Sequence, residues 1–168
     1  MTSPITELHR YLDEHRLWYK TIELKRGEYL HRAGDRDGNI YHILSGTLRA
    51  YAIVNTDEAQ TIRFAYVNDF YAAIDSFISG APTILYGQAL RKTTVRMTRR
   101  DVYQEHVMKN PQLAKLRHQM LGWMVTGQLE REIDLLTNDP AERYRRVLGR
   151  SPSFFRKSPQ NTSLTIYG

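Results

Sequence analysis

Over residues 17–67 the apolar positions come in short runs cut by turn residues, whereas over 111–136 they recur at helical spacing without a break. The first pattern predicts a series of short strands. Leu24, Tyr29 and Leu30 lead into the polar turn cluster Gly34-Asp35-Arg36-Asp37-Gly38, and the run Ile40, Tyr41, Ile43, Leu44 stops at Ser45-Gly46. Leu48, Ala50, Ala52 and Val54 then alternate with Thr47, Arg49, Tyr51 and Ile53, the period-two signature of a strand with one face on a core. Gly27, Gly34 and Gly46 fall where these strands must reverse, and glycine enters positive φ without a Cβ penalty. Asn55-Thr56-Asp57-Glu58 reads as a hairpin turn before the alternating Ile62, Phe64 and Tyr66. After a less regular stretch over 70–89, strand signals return at 86–90 and 93–97.

Helices are marked by their caps. Ser3-Pro4 opens a first helix in which Ile5, Leu8 and Leu12 follow helical spacing, and Arg99-Arg100-Asp101 opens another that runs through Val102 and Val107. Asn110-Pro111 reads as a third cap, and the next proline is Pro140. The interval predicts a helix of about 27 residues, ~40 Å long at ~1.5 Å per residue. One stripe on it comprises Leu113, Leu116, Met120, Trp123, Met124 and Gly127, and a second, rotated stripe comprises Leu121, Val125, Leu129, Ile133 and Leu136. Two stripes need two surfaces. Asp139-Pro140 caps a further helix.

The ordered pattern Gly-Glu-x-Leu-x-x-x-Gly-Asp over 27–35, followed by aromatic-x-Ile-x-x-Gly-x-Leu over 41–48, resembles the first half of a cyclic-nucleotide-binding domain of the Crp/Fnr family. The resemblance implies an α+β fold: a jelly-roll β-roll with flanking helices over 1–110, and a long C-terminal dimerisation helix over 111–137. It also implies the start of an incomplete winged helix-turn-helix DNA-binding domain over 138–168. A homodimer is expected through Leu116, Met120, Trp123, Met124, Gly127, Leu129 and Ile133. The bland alternative is a single helix buried in one core.

In nucleotide-binding members of that family the segment corresponding to 70–89 wraps the cyclic phosphate, with Gly-Glu after an aromatic pair and Arg-Ser or Arg-Thr about ten residues later. Here those pairs align with Ala72-Ala73 and Thr83-Ile84, so both charged partners are missing. An arginine on a buried phosphate makes a charge-assisted, often bidentate bond, and leaving the anion without one costs several kcal/mol. No cofactor is expected with certainty: a cyclic nucleotide is not expected to bind, and another small effector or an empty, structural pocket stays open. The candidate pocket comprises Phe70, Ala72, Ala73, Asp75, Ser76, Thr83, Ile84 and Tyr86. Thr126 and Gln128 join it from the long helix, as the family implies, and Arg63, Arg91 and Lys92 are the cations nearest in sequence that could replace the missing arginine.

Composition narrows the chemistry further. The chain of 168 residues has no cysteine, which excludes disulfides, thiolate zinc sites and the cysteine-held cluster of the family's oxygen-sensing branch. Its six histidines form no His-x-His or His-x-x-x-His pair, so neither a metal centre nor a cupin-type enzyme is expected. No apolar run spans the roughly 20 residues that cross a bilayer, and the N-terminus does not read as a signal peptide. A cytoplasmic protein without membrane contact is the expectation.

The net charge of +6 is unevenly placed: residues 141–168 hold six basic residues against one acid, +5, and the other 140 hold 18 against 17, +1. Arg143, Arg145, Arg146 and Arg150, with Arg156 and Lys157 beyond them, are candidate contacts to DNA phosphates. The alternative is the solvated face of a short helix. The run Pro-Ala-Glu-Arg-Tyr at 140–144, continued by Ser-Pro-Ser-Phe-Phe and Ser-Pro-Gln, resembles the link into the family's DNA-binding domain. DNA binding is expected if a complete winged-helix domain exists, and otherwise only weak and non-specific binding. The alternative is a stand-alone ligand- or protein-binding module without DNA-binding activity.

Overall fold

A computed structural model describes residues 3–55 and 58–150, with the side chains of Val147 and Arg150 excepted. Residues 56 and 57 of the expected hairpin turn, and the expected continuation of the DNA-binding link over 151–160 with Arg156 and Lys157, lie outside the described residues. The chain divides into two compact units between Leu113 and Ala114.

The first unit begins with helix α1, Pro4–Glu14. Ser3 caps it as expected, its hydroxyl accepting from the Ile5 amide at 3.3 Å, and Leu8 and Leu12 are fully buried. Eight strands follow: β1 (Lys20–Leu24), β2 (Tyr29–His31), β3 (Ile40–Ser45), β4 (Thr47–Val54), β5 (Glu58–Tyr66), β6 (Phe70–Tyr71), β7 (Tyr86–Ala89) and β8 (Thr93–Thr98). A short helix α2, Ile74–Ser79, lies between β6 and β7.

The strands form two antiparallel sheets ordered β1-β8-β3-β6 and β2-β7-β4-β5. Consecutive strands change sheet at every step except β4 to β5, which makes the expected roll. Tyr41 and Ile43 of β3, Leu48 and Ala50 of β4, Ala65 of β5, Val95 and Met97 of β8 enclose one core, so period two is obeyed on the inner face of both sheets. Gly46 turns β3 into β4 at φ 89°, and a Cβ there would meet the Thr93 hydroxyl and, at 2.5 Å, the Lys92 carbonyl. No other residue fits that corner without moving backbone.

Helix α3, Arg100–Tyr103, passes directly into a π-helical turn, Gln104–Met108. A 3-10 turn, Pro111–Leu113, closes the unit. The expected continuous helix therefore starts differently: Asn110 accepts from the Gln112 amide through its side chain and from the Leu113 amide through its carbonyl. That double cap tightens the first turn.

The second unit holds α4, Ala114–Leu136, and α5, Pro140–Arg150. Asp134 on α4 is fully buried, and the Arg146 guanidinium of α5 donates to its carboxylate at 3.0 Å. Arg146 also reaches Glu130 at 3.4 Å. This ion pair fastens α5 to α4.

Candidate functional site

The segment from β6 to β7 is built around one carboxylate. Asp75, in the first turn of α2, accepts from the Thr83 hydroxyl at 2.8 and 3.0 Å and from the Ile84 amide at 2.8 Å. The Thr83 hydroxyl accepts in turn from the Leu85 amide at 3.1 Å. Burial alone would raise the Asp75 pKa, but the Ile84 and Thr83 donors outweigh it and hold the carboxyl below the ordinary aspartate range.

A second layer sits beneath. The amide of Asp37 donates to the buried Ser76 hydroxyl at 3.1 Å, and the Asp37 carboxylate accepts from the Tyr41 hydroxyl at 2.8 Å and the Asn39 amide at 3.0 Å. Paired backbone bonds, Gly34 amide to Thr83 carbonyl and Thr83 amide to Asp35 carbonyl, each 2.8 Å, join the polar turn of 34–38 to the segment after α2. Deeper still, His31 and Tyr71 share a 2.7 Å hydrogen bond, both nearly excluded from solvent. Gly87 is the gap that admits them: a Cβ there would lie 2.6 Å from both His31 Nε2 and the Tyr71 oxygen. Burial pushes the Tyr71 and Tyr41 hydroxyls up, with the Asp37 carboxylate adding to it, and burial pushes His31 down against the pull of nearby aspartates.

Asp75, Ser76 and Thr83 therefore come together, and Ile84 joins through its amide while its side chain stays 71% exposed. Ala73 is fully buried and Ala72 half-buried at the start of α2. Phe70 faces elsewhere: it pairs with His42 across the strands and lies parallel to the Trp18 ring, 6.4 Å away, while its neighbour Tyr71 takes the inner position. Tyr86 also turns outward, stacking on Tyr51 at 5.0 Å, because Gly87 holds the inner place. Tyr51 itself bonds Tyr29 at 3.0 Å, and burial with that bond pushes its hydroxyl up to about 12. Arg63 sits opposite Ala50, on the inner side of its strand, and its charge reaches Tyr71. Lys92 pairs with Glu23 at 3.7 Å, and Arg91 is exposed. His31, Tyr71 and Asp37 are additions to the expected residues; no local spacing couples His31 with a tyrosine 40 positions away.

Thr126 and Gln128 are exposed on α4. On the same helix Leu116 is buried and Met120 half-buried, whereas Trp123, Met124, Leu129 and Ile133 are exposed along with Leu121 and Val125. The Cβ position of Gly127 faces open space. Of the candidate phosphate contacts, Arg145 is exposed, Arg143 donates to the Thr137 carbonyl at 3.2 Å, and Arg146 is committed to Asp134 and Glu130. The Arg150 side chain lies outside the described residues. Among the described residues no cluster of His, Asp or Glu could hold a metal ion, and no helix is long and apolar enough to cross a membrane.

Residues 21–110, more than half the chain, match the profile of the family described as Cyclic nucleotide-binding domain. No curated protein sequence matches. Among solved structures, the Thermus thermophilus catabolite activator protein superposes with a TM-score of 0.62 at 17% identity, over 80% of this chain and 63% of its own. FixK2 from Bradyrhizobium japonicum gives 0.62 at 19%, over 83% and 67%, and the sensor domain of the transcriptional regulator DNR from Pseudomonas aeruginosa gives 0.57 at 15%, over 80% and 97%. The chain thus spans less than two thirds of the first of these and nearly all of the isolated sensor domain. At such identities the likeness is one of fold.

Proposed function

The chain belongs to the cyclic nucleotide-binding domain family, and we propose that it is the sensing and dimerisation portion of a Crp/Fnr-type transcription regulator that does not use a cyclic nucleotide. The observation that carries this reading is the Asp75 carboxylate lying on the Thr83 hydroxyl and the Ile84 amide. A phosphate drawn to those donors would have to displace a carboxylate and then share the space with it, at a separation where like charges repel strongly. Asp35 and Asp37, whose charges reach His31 together with that of Asp75, add to the unfavourable field. Arg63 is the one replacement cation on the inner side of its strand, and it offers an alternative effector a single charged group. We assign the protein no catalytic role and place it in the cytoplasm as a homodimer joined along α4, with α5 leading toward a DNA-binding region. Calorimetric titration with cyclic AMP and cyclic GMP tests the ligand side: no binding is expected, and a dissociation constant below about 10 μM, roughly −7 kcal/mol, overturns it.

A second reading is favoured by the exposed apolar surface of α4, which suits a stand-alone module that docks a different protein and never touches DNA. Sedimentation of the chain alone separates the two. A dimer supports the regulator, and a monomer at micromolar concentration supports the module.

A further inference from the structure

On the outer face of the first sheet, Arg96 of β8, His42 of β3 and Phe70 of β6 stand side by side in one cross-strand row. Helix α1 and the residue Trp18 that follows it cover this row. Arg96 donates to Asp13 at 2.9 Å and to His9 Nε2 at 2.7 Å, Trp18 Nε1 donates to the same Asp13 oxygen at 2.8 Å, and the guanidinium lies 4.6 Å over the Trp18 ring. A guanidinium has donors only. His9 Nε2 must therefore be a bare acceptor, which puts the His9 proton on Nδ1, 3.2 Å from the second Asp13 oxygen.

The His9 and His42 rings are 4.2 Å apart, and His42, 4% exposed, is enclosed by His9, Trp18 and Phe70 with Nδ1 unpartnered. Among the described residues the charged groups acting on this pair are Asp13 on α1 and Arg96 on β8, and β6 sets Phe70 beside His42. A proton on His42 places a second cation beside Arg96, with Asp13 the one anion facing both. The opposite side of α1 makes a different contact: the Tyr11 hydroxyl donates to the His106 carbonyl at 3.1 Å and accepts from Asn110 at 3.1 Å. Those two residues lie in the π-helical turn and in the cap of the 3-10 turn that precedes α4.

We propose that this cluster is an acid-sensitive latch, in which protonation of His42 releases α1 from the sheet and with it the hold of Tyr11 on the segment leading into α4. Burial, with the nearby His9 and Arg96, holds His42 down at about 4, so the attachment is complete above the ordinary imidazole value of ~6.5 and weakens as pH falls toward about 4.

Hydrogen exchange on the full chain tests this. With intrinsic rates corrected, α1 protection should fall about 30-fold between pH 7.5 and 5.0, the ratio for one imidazole that titrates near 6.5 when free and near 4 when held. Protection of β3 and β8 should persist, and His42→Phe should cut the loss in α1 to less than about threefold. Should that variant misfold, Trp18 emission in a Trp123→Phe background reads the same event and should change over the same pH range. Equal α1 protection at both pH values, loss of α1 and sheet together, an undiminished loss in a folded His42→Phe, or a flat Trp18 titration overturns the latch.

Discussion

At Asp75 a charged group has been met from within its own chain, by the Thr83 hydroxyl and the Ile84 amide, while on α4 Leu121, Trp123, Val125 and Leu129 are all more than half exposed. The same polypeptide thus completes a polar site and leaves an apolar one open. A completed site resists a new ligand, since any newcomer must first break bonds already made in place. An open apolar surface of this extent on one helix favours a partner, because covering it removes hydrocarbon from water at roughly 25 cal/mol per Å². The contrast supports the proposal that this chain recognises a partner through the helix rather than a ligand in the roll.

The strongest perturbation of that contrast is a charge on the helix. Leu129→Glu or Met124→Asp should raise the dimer dissociation constant at least about 100-fold, since an unpaired charge buried at the contact costs about 3 kcal/mol or more. Sedimentation velocity across a concentration series reads this directly, and an unchanged dimer would place the contact elsewhere.

Removing the carboxylate comes next. Asp75→Ala strands the Thr83 hydroxyl and the Ile84 amide and should lower unfolding stability by about 1–3 kcal/mol in urea titration. The sign with pH follows from the lowered pKa: the unfolded chain takes up the proton first, so the Asp75 contribution is full above the ordinary value of about 3.9 and fades below it. The variant and the parent should therefore converge in stability as the solution is acidified through that range.

The smallest effect is expected at α5, where Arg145 is exposed and Arg143 and Arg146 are already engaged. Arg145→Ala should reduce the log–log salt slope of non-specific DNA binding by about 0.9, one phosphate contact. Random and palindromic duplexes should compete equally.

Much of the fold was legible because its signals are local. Ser3, Asn110 and Asp139 all cap through side-chain oxygens as their positions predict, and Gly27, Gly34 and Gly46 all adopt positive φ. Asp75, Ser76 and Thr83 were legible as a group because they share one short segment. Phe70 was not, for in a two-residue strand either neighbour can face inward and only the pairing of Tyr71 with Tyr41 decides it. The His31–Tyr71 bond and the link from Asp37 to Ser76 join residues about 40 apart, and nothing in the intervening spacing announces them. The π-helical turn at Gln104–Met108 likewise hides within spacing that reads as ordinary helix.

The claim that Asp75 stands where a ligand's anion would otherwise be drawn is tested most directly by following its side-chain carboxyl carbon by NMR through an acid titration. The midpoint should lie below the ordinary aspartate value of about 3.9, and the carboxyl signal should not move when millimolar cyclic AMP is added at neutral pH. A midpoint at or above that value, or a carboxyl signal displaced by the nucleotide, would contradict it.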